Sequence, residues 1–447
     1  MYILTNGRLI TRDPDARGYY EKGAVVYEGS KIVEVGEEAA LTAKYPQAEK
    51  IDAKGGVIMP ALINAHTHIY SALARGLSIV GNNPTNFLEV LEGTWWAIDR
   101  HLTLEGTRAS ADALYIDCIK QGVTTVFDHH ASYCQIPGSL FQIGESAKKF
   151  GIRSCLCYEV SDRDGEEKCL EAIRENADWI TYCREHNDPM LAAMFGGHAL
   201  FTISDKTFDR MVEANNGRTG YHIHVSEGMN DVYDSLQNYG RRPVQRLQDH
   251  GILGEKTILG HCIHVNTAEM ELIRETGTMV VNNPESNMGN AIGICPVLQL
   301  YKRGILLGMG TDAYTNDMLE SLKVALCSQR GQNCLPNVGW CEVTDMLFKN
   351  NAKIGEKYFP DTLGVLKAGA AADIIVMDYK PFTPFSDENI DGHMIFGMTG
   401  RQCQTTIAAG KLLMKDRELV GIDEEAENAH ILEASRKLWG TLNHREY

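Results

Sequence analysis

The chain lacks most of the features that announce a specialised class of protein. None of its 12 Cys stands in a C-x-x-C pair and they are scattered along 447 residues, which argues against a disulfide framework and for free thiols in a reducing compartment. Cys155 and Cys157, two apart in an apolar run, read as core rather than as metal ligands. No cluster of Lys and Arg stands out, and 43 basic against 59 acidic residues leave a net charge of -16. Nucleic acid and anionic membrane surfaces are therefore not expected partners. No basic stretch leads into an apolar h-region at the start, and no apolar run approaches the roughly 18 residues of a membrane span; a cytoplasmic protein is expected. No G-x-G-x-x-G opens a helix after the first strand, which weakens a dinucleotide-binding sheet. Low-complexity tracts and fixed-period repeats are absent too.

What is present is ordinary globular usage, 44% apolar and 23% charged, in a chain long enough for two or three domains or for one large barrel with an appendage. Residues 1–59 hold short β-rich runs (YILTNGRLI, GAVVYEGSKIVEVG, IDAKGGVIM) between turn formers. The same texture returns in AADIIVMD and TTIAAGKLLMKDREL, so a small β-sandwich assembled from 1–59 and 361–423 is expected. Between them, over 60–360, apolar strands alternate with amphipathic stretches: GVTTVFDHH, IRSCLCYEV, MLAAMFGGHAL, GYHIHVSE, KTILGHC, GTMVVNNP and GILLGMGTD. Roughly eight such units predict an α/β fold of the (β/α)8 TIM-like barrel type. Residues 424–447, rich in Ala, Glu and Leu, predict a C-terminal helix.

Residues of metal-ligand type fall at the ends of these strands, where such barrels gather their chemistry. In PALINAHTH, His66 and His68 are two apart, and on a strand that spacing turns both imidazoles to one side. GYHIHVSEG repeats the pattern with His222 and His224, only one of which can sit at the rim, and Glu227 follows. GHCIH contributes His261 and His264. GILLGMGTD ends on Asp312, a carboxylate costly to bury without a cation or other partner.

With PALINAHTH, His224-x-x-Glu227, the GHC at His261, NPESN at Asn283 to Asn287 and GTD at Asp312 in view, the chain resembles the amidohydrolase superfamily, in its cytosine-deaminase-like mononuclear aminohydrolase branch. The likeness covers nearly the whole chain. ARGLSI, WWAIDRHLTLE, TTVFDHHASY and CYEVSDRDGEEK resemble, more narrowly, the SsnA group of aminohydrolases, which suggests a place in purine catabolism. Carried over residue by residue, the resemblance implies that His66, His68, His224 and Asp312 hold one divalent ion, zinc ahead of iron, although such ligands suit either. It makes Glu227 the proton shuttle, Asp312 the acceptor of a proton from water, and His261 the group that polarises water or the developing oxyanion. A cation so held lowers the pKa of bound water from 15.7 toward ~7. Binuclear relatives carry a bridging carboxylated Lys at the fourth strand; AAMFGGHALFTIS has none, so one metal is expected.

For the pocket, Trp95 or Trp96 could stack on a flat ring, the other being core. His129 and His130 face opposite ways, so at most one of them points into the mouth. His198 either faces substrate or supports a ligand, and Asn287, with Asn283 and Ser286, either binds a ring or makes a turn. Asn282 stands where many relatives have His, and Tyr314 and Thr315 replace smaller residues at the mouth. His101, His186, His250, His393, His430 and His444 have no partners at ligand spacing and read as solvated or capping residues. The expected function is metal-dependent hydrolytic deamination of a purine- or pyrimidine-like heterocycle with water, by a homo-oligomer. Ring opening of a cyclic amide is the alternative.

Overall fold

The computed structural model describes residues 1–447. Its centre is a closed barrel of eight parallel strands: β1 (Leu62–Thr67), β2 (Val123–His130), β3 (Arg153–Tyr158), β4 in two pieces (Leu191–Ala193 and Phe195–Ala199), β5 (Tyr221–Val225), β6 (Ile258–His261), β7 (Met279–Asn282) and β8 (Leu307–Met309). Nearly every residue of these strands is buried, as strands covered by helices on one side and filled by side chains on the other must be.

Two weak joints divide the barrel into sheets of four and five strands. The first is the break in β4, where Met194 N donates to Leu156 O (3.1 Å) and a single bridge joins Val160 to Gly197. The second is the seam between β8 and β1, bridged at Thr67 and Asp312. There the amides of Thr311 and Asp312 both donate to His66 O at 3.0 Å. Gly310 is required at this point, because a Cβ on it would lie 2.6 Å from the same carbonyl. Asn351 clamps the seam from outside: its Nδ2 donates to Ile63 O (2.7 Å) and Met309 O (2.8 Å), and its Oδ1 accepts from Met309 N (2.8 Å).

The helices start and stop on readable signals. Thr103 caps helix Leu104–Gln121 by accepting from Gly106 N, and Gly122 ends it at φ 77°. A Cβ on Gly122 would meet Ile375 at 2.9 Å, so this glycine also lets the barrel approach the second sheet.

That sheet has nine strands drawn from both ends of the chain; Val57–Pro60 pairs antiparallel with Ile374–Met377. Leu4 and Val25 from its first half pack in one core with Ile374 and Ile407 from its second, so the sheet folds over its own interior. Arg153, fully buried, ties barrel to sheet through Asp373. Helix Glu424–Asn443 closes the chain, and no helix is long and apolar enough to cross a membrane.

The seam makes a prediction. Asn351→Ala strands one buried N–H and two carbonyls at the closure of the barrel, and is expected to cost about 2–4 kcal/mol, read as a lower urea midpoint.

Candidate metal centre and cleft

Period-two alternation on β1 sends His66 and His68 to the barrel interior, and on β5 it does the same for His222 and His224 in two layers. His222 lies in the lower layer, its Nε2 2.7 Å from His66 Nδ1, and His224 reaches the rim. Asp312, just past β8, sits at φ 57°, a conformation that costs a non-glycine residue energy and that turns its carboxylate inward. Its Oδ1 stands 2.8 Å from His68 Nε2 and 3.3 Å from His66 Nε2, while His68 Nε2 is 3.2 Å from His224 Nε2.

The outer nitrogens fix what those inner atoms carry. His68 Nδ1 donates to His129 O (2.5 Å) and His224 Nδ1 donates to His198 O (2.8 Å). With Nδ1 engaged on each ring, the Nε2 atoms are left facing each other at 3.2 Å, where the neutral rings would offer lone pairs. Tetrahedral sites with bonds of ~2.0–2.1 Å place ligand atoms roughly 3.3 Å apart, so the set fits a small divalent ion. Burial pushes the imidazoles of His66, to about 3, and of His224 well below their usual range. Burial acts on His68 in the same direction, but Asp312 overrides it and raises this ring to about 9. A proton there satisfies Asp312 or His224, whereas an ion satisfies both.

Two overlapping groups of ligand atoms converge: His66, His224, His261 and Asp312, and His68, His129, Glu159 and His224. The four ligands expected from the sequence are thus divided between them. His129 is not available to an ion. Its Nε2 faces the carbonyls of Gly197 and His222 and its Nδ1 faces Glu159 Oε1, each at 3.0 Å. All three partners are acceptors, so both nitrogens are already engaged. The expectation that His129 contacts substrate is corrected by the same bonds, because the ring is fully buried beneath the cleft.

Asn287 is likewise placed behind the site rather than on its wall. Its Oδ1 accepts from His261 Nδ1 (2.7 Å) and its Nδ2 donates to Asn282 Oδ1 (3.0 Å). Asn282 thus holds the residue that holds His261. His261 Nε2 lies 3.6 Å from Glu227 Oε1. Burial, with Asp312 and Asp231 nearby, raises the Glu227 carboxyl well above the usual range. Ser286 donates to Asp312 Oδ2.

These groups open on a cleft roofed by Phe87, Leu91, Trp95 and Trp96, with His198 and Glu159 on its wall. Trp95, Trp96 and His198 all line this cleft. Cys155 and Cys157 are free thiols in the core. Glu159 was missed from the sequence; its only signal was a carboxylate directly after the apolar strand CLCY.

A model of the Amidohydrolase family matches residues 57–413, and one for an imidazolonepropionase-like composite domain of bacteria matches residues 23–48. The 5'-deoxyadenosine deaminase of Methanosarcina mazei is 30% identical over 99% of each chain. The 5-methylthioadenosine/S-adenosylhomocysteine deaminase of Thermococcus onnurineus is 30% identical over 89% of this chain and 91% of its own. Among solved structures, a zinc-bound adenosine deaminase from Xanthomonas campestris superposes with a TM-score of 0.86 at 22% identity, covering 98% of both chains. Guanine deaminase of E. coli gives 0.79 at 19%, covering 93% of this chain and 100% of that one.

The donor geometry predicts about one equivalent of divalent ion in the purified protein, lost in His224→Ala and Asp312→Asn by elemental analysis. Because the ion displaces the proton of His68, its apparent affinity is expected to rise by up to about tenfold per pH unit as pH climbs toward 9, and then to level off.

Proposed function

The chain belongs to the amidohydrolase family and is a hydrolase of C–N bonds, and from that premise we propose that it releases ammonia from a purine- or pyrimidine-like ring. The observation that carries this reading is the placement of Glu227, a carboxyl that burial raises above its usual range, 3.6 Å from His261 Nε2 at the edge of the ligand cluster.

His66, His68, His224 and Asp312 would hold one divalent ion, with zinc favoured because the Xanthomonas campestris structure holds it. When bound, such an ion makes water nucleophilic at neutral pH. The rest is done by side chains. Asp312, oriented by Ser286, takes a proton from the attacking water. Glu227 gives its proton to the ring nitrogen beside the attacked carbon; the proton taken by Asp312 then goes to the departing amine and the proton of the new hydroxyl returns to Glu227 as the carbonyl forms, work worth about 10²–10⁴-fold. His261, whose Nδ1 donates to Asn287, presents the lone pair of Nε2 to the attacking water and polarises it. Phe87, Leu91, Trp95 and Trp96 keep bulk water out. The match to an imidazolonepropionase-like domain lies in the nine-stranded sheet, away from the cleft, and so does not favour ring opening.

A screen of oxopurines, aminopurines, pterins and pyrimidines is expected to find ammonia release. Loss of ring absorbance without ammonia would point to ring opening instead. Glu227→Gln is expected to keep its ion and lose about 10²–10⁴-fold in turnover; normal turnover in that variant removes its assigned role.

A further inference from the structure

The proton chemistry above leaves two groups on the cleft wall unused. Glu159 follows β3, its amide donating to His130 O (2.8 Å). Its Oε1 is occupied by His129 Nδ1 at 3.0 Å. Its Oε2 accepts no hydrogen bond and is not sealed in protein; it opens on the cleft. His198 faces it, Nε2 4.0 Å from Oε2.

The tautomer of His198 follows from its neighbour. Thr202 Oγ1 donates to Ala199 O (3.0 Å), so it accepts from His198 Nδ1 (2.8 Å). The neutral ring then shows a lone pair at Nε2, also without a partner and also open to the cleft. Two acceptors thus stand side by side with no hydrogen between them. A buried wall of this kind gains only from a ligand that brings donors, since an acceptor placed there would desolvate three lone pairs at once. Acceptors 4.0 Å apart are spanned by one amino nitrogen using both hydrogens, or by two neighbouring N–H groups, each at about 2.9 Å.

Position decides which part of the ligand is read. Glu159 Oε1 is 3.7 Å from His68 Nδ1, and the backbone carbonyl of His198 holds His224. Both groups are one imidazole away from the ligand atoms, so they face the reacting heterocycle itself and not a distant substituent.

Building on the deaminase reading, we infer that Glu159 and His198 are specificity-determining residues that select a heterocycle carrying N–H donors on its ring edge besides the amine that leaves. An amino-oxo ring such as 2-amino-6-oxopurine meets this requirement. The ring of a 6-aminopurine nucleoside, whose remaining nitrogens are all acceptors, does not. The selection runs against that implied by the 5'-deoxyadenosine deaminases the chain resembles.

The test uses the ion-loaded full chain in two arms. In the first, ammonia release is compared for guanine, adenosine and 5'-deoxyadenosine. Guanine is expected to be preferred by at least about tenfold in kcat/KM, and Glu159→Gln to raise its KM by about tenfold or more at unchanged ion content. Preference for either adenosine compound overturns the inference while leaving deamination intact. The second arm needs neither turnover nor a variant: calorimetric binding of xanthine against 1,3-dimethylxanthine, which lacks two ring N–H donors. Xanthine is expected to bind about tenfold or more tightly; equal binding overturns the inference. If no ring yields ammonia, the deaminase reading fails and this second arm still decides the recognition.

Discussion

Two imidazole nitrogens, His68 Nε2 and His224 Nε2, meet at 3.2 Å beside the carboxylate of Asp312. A single proton on His68 can serve only one of these two neighbours, whereas a cation would serve both. Everything around them works to keep the arrangement in place. Backbone carbonyls of β2 and β4, not carboxylates, take the outer protons of the two rings, so each ring is oriented by the barrel itself. An orienting group of that kind fixes tautomer and ring plane without adding charge. The charge balance of the centre is thereby left to Asp312 and to whatever cation it receives.

The same centre concentrates backbone strain. Ser226, His261, Cys262 and Asp312 are all non-glycine residues with positive φ, and all lie just at or past strand ends. Each such residue costs on the order of 1 kcal/mol or more. Glycine would relieve the cost but could not supply the imidazole or the carboxylate. The strain persists because the seam over-determines it. Asp312 is held by its amide on His66 O, by Ser286 on its side chain and, through β8, by Asn351. A barrel closed at this point by side-chain and bridge contacts can set the angle of Asp312 independently of a long strand ladder.

Periodicity explains what could be read in advance and what could not. The H-x-H pairs at 66/68 and 222/224 were legible because a strand sends alternate residues to one face, and eight apolar runs at steady spacing were enough for the barrel. The rank of His222 below His224 was not legible from spacing, since both face inward; it depends on how far along the strand the rim falls. Glu159 escaped because a lone carboxylate after a strand is usually a solvated turn, and only the assembled barrel shows His129, His68 and His198 surrounding it. His129 misled for the converse reason. A histidine at a strand end looks like a site residue until the carbonyls of β4 and β5 are seen to take its hydrogens.

The roof of the cleft completes the physical picture, because it is anchored by a pair that resists opening. Trp96 lies under the guanidinium of Arg163, 5.0 Å from its ring centroid, and the same guanidinium stacks on Tyr133 at 4.1 Å. Arg163 is paired with Asp99, three residues past Trp96 and fully buried. Separating a buried pair leaves an uncompensated charge at a cost of about 3–5 kcal/mol. Lifting the segment that carries Trp96 would pull Asp99 from Arg163, so this part of the roof is a fixed wall and not a lid. The indole Nε1 of Trp96 is buried without a partner, which such a wall tolerates only where the neighbouring shape is set for other reasons. The stretch before it is more exposed, with Val80 and Leu88 facing solvent. Selection by Glu159 and His198 acts on a ring that has already fitted a rigid slot.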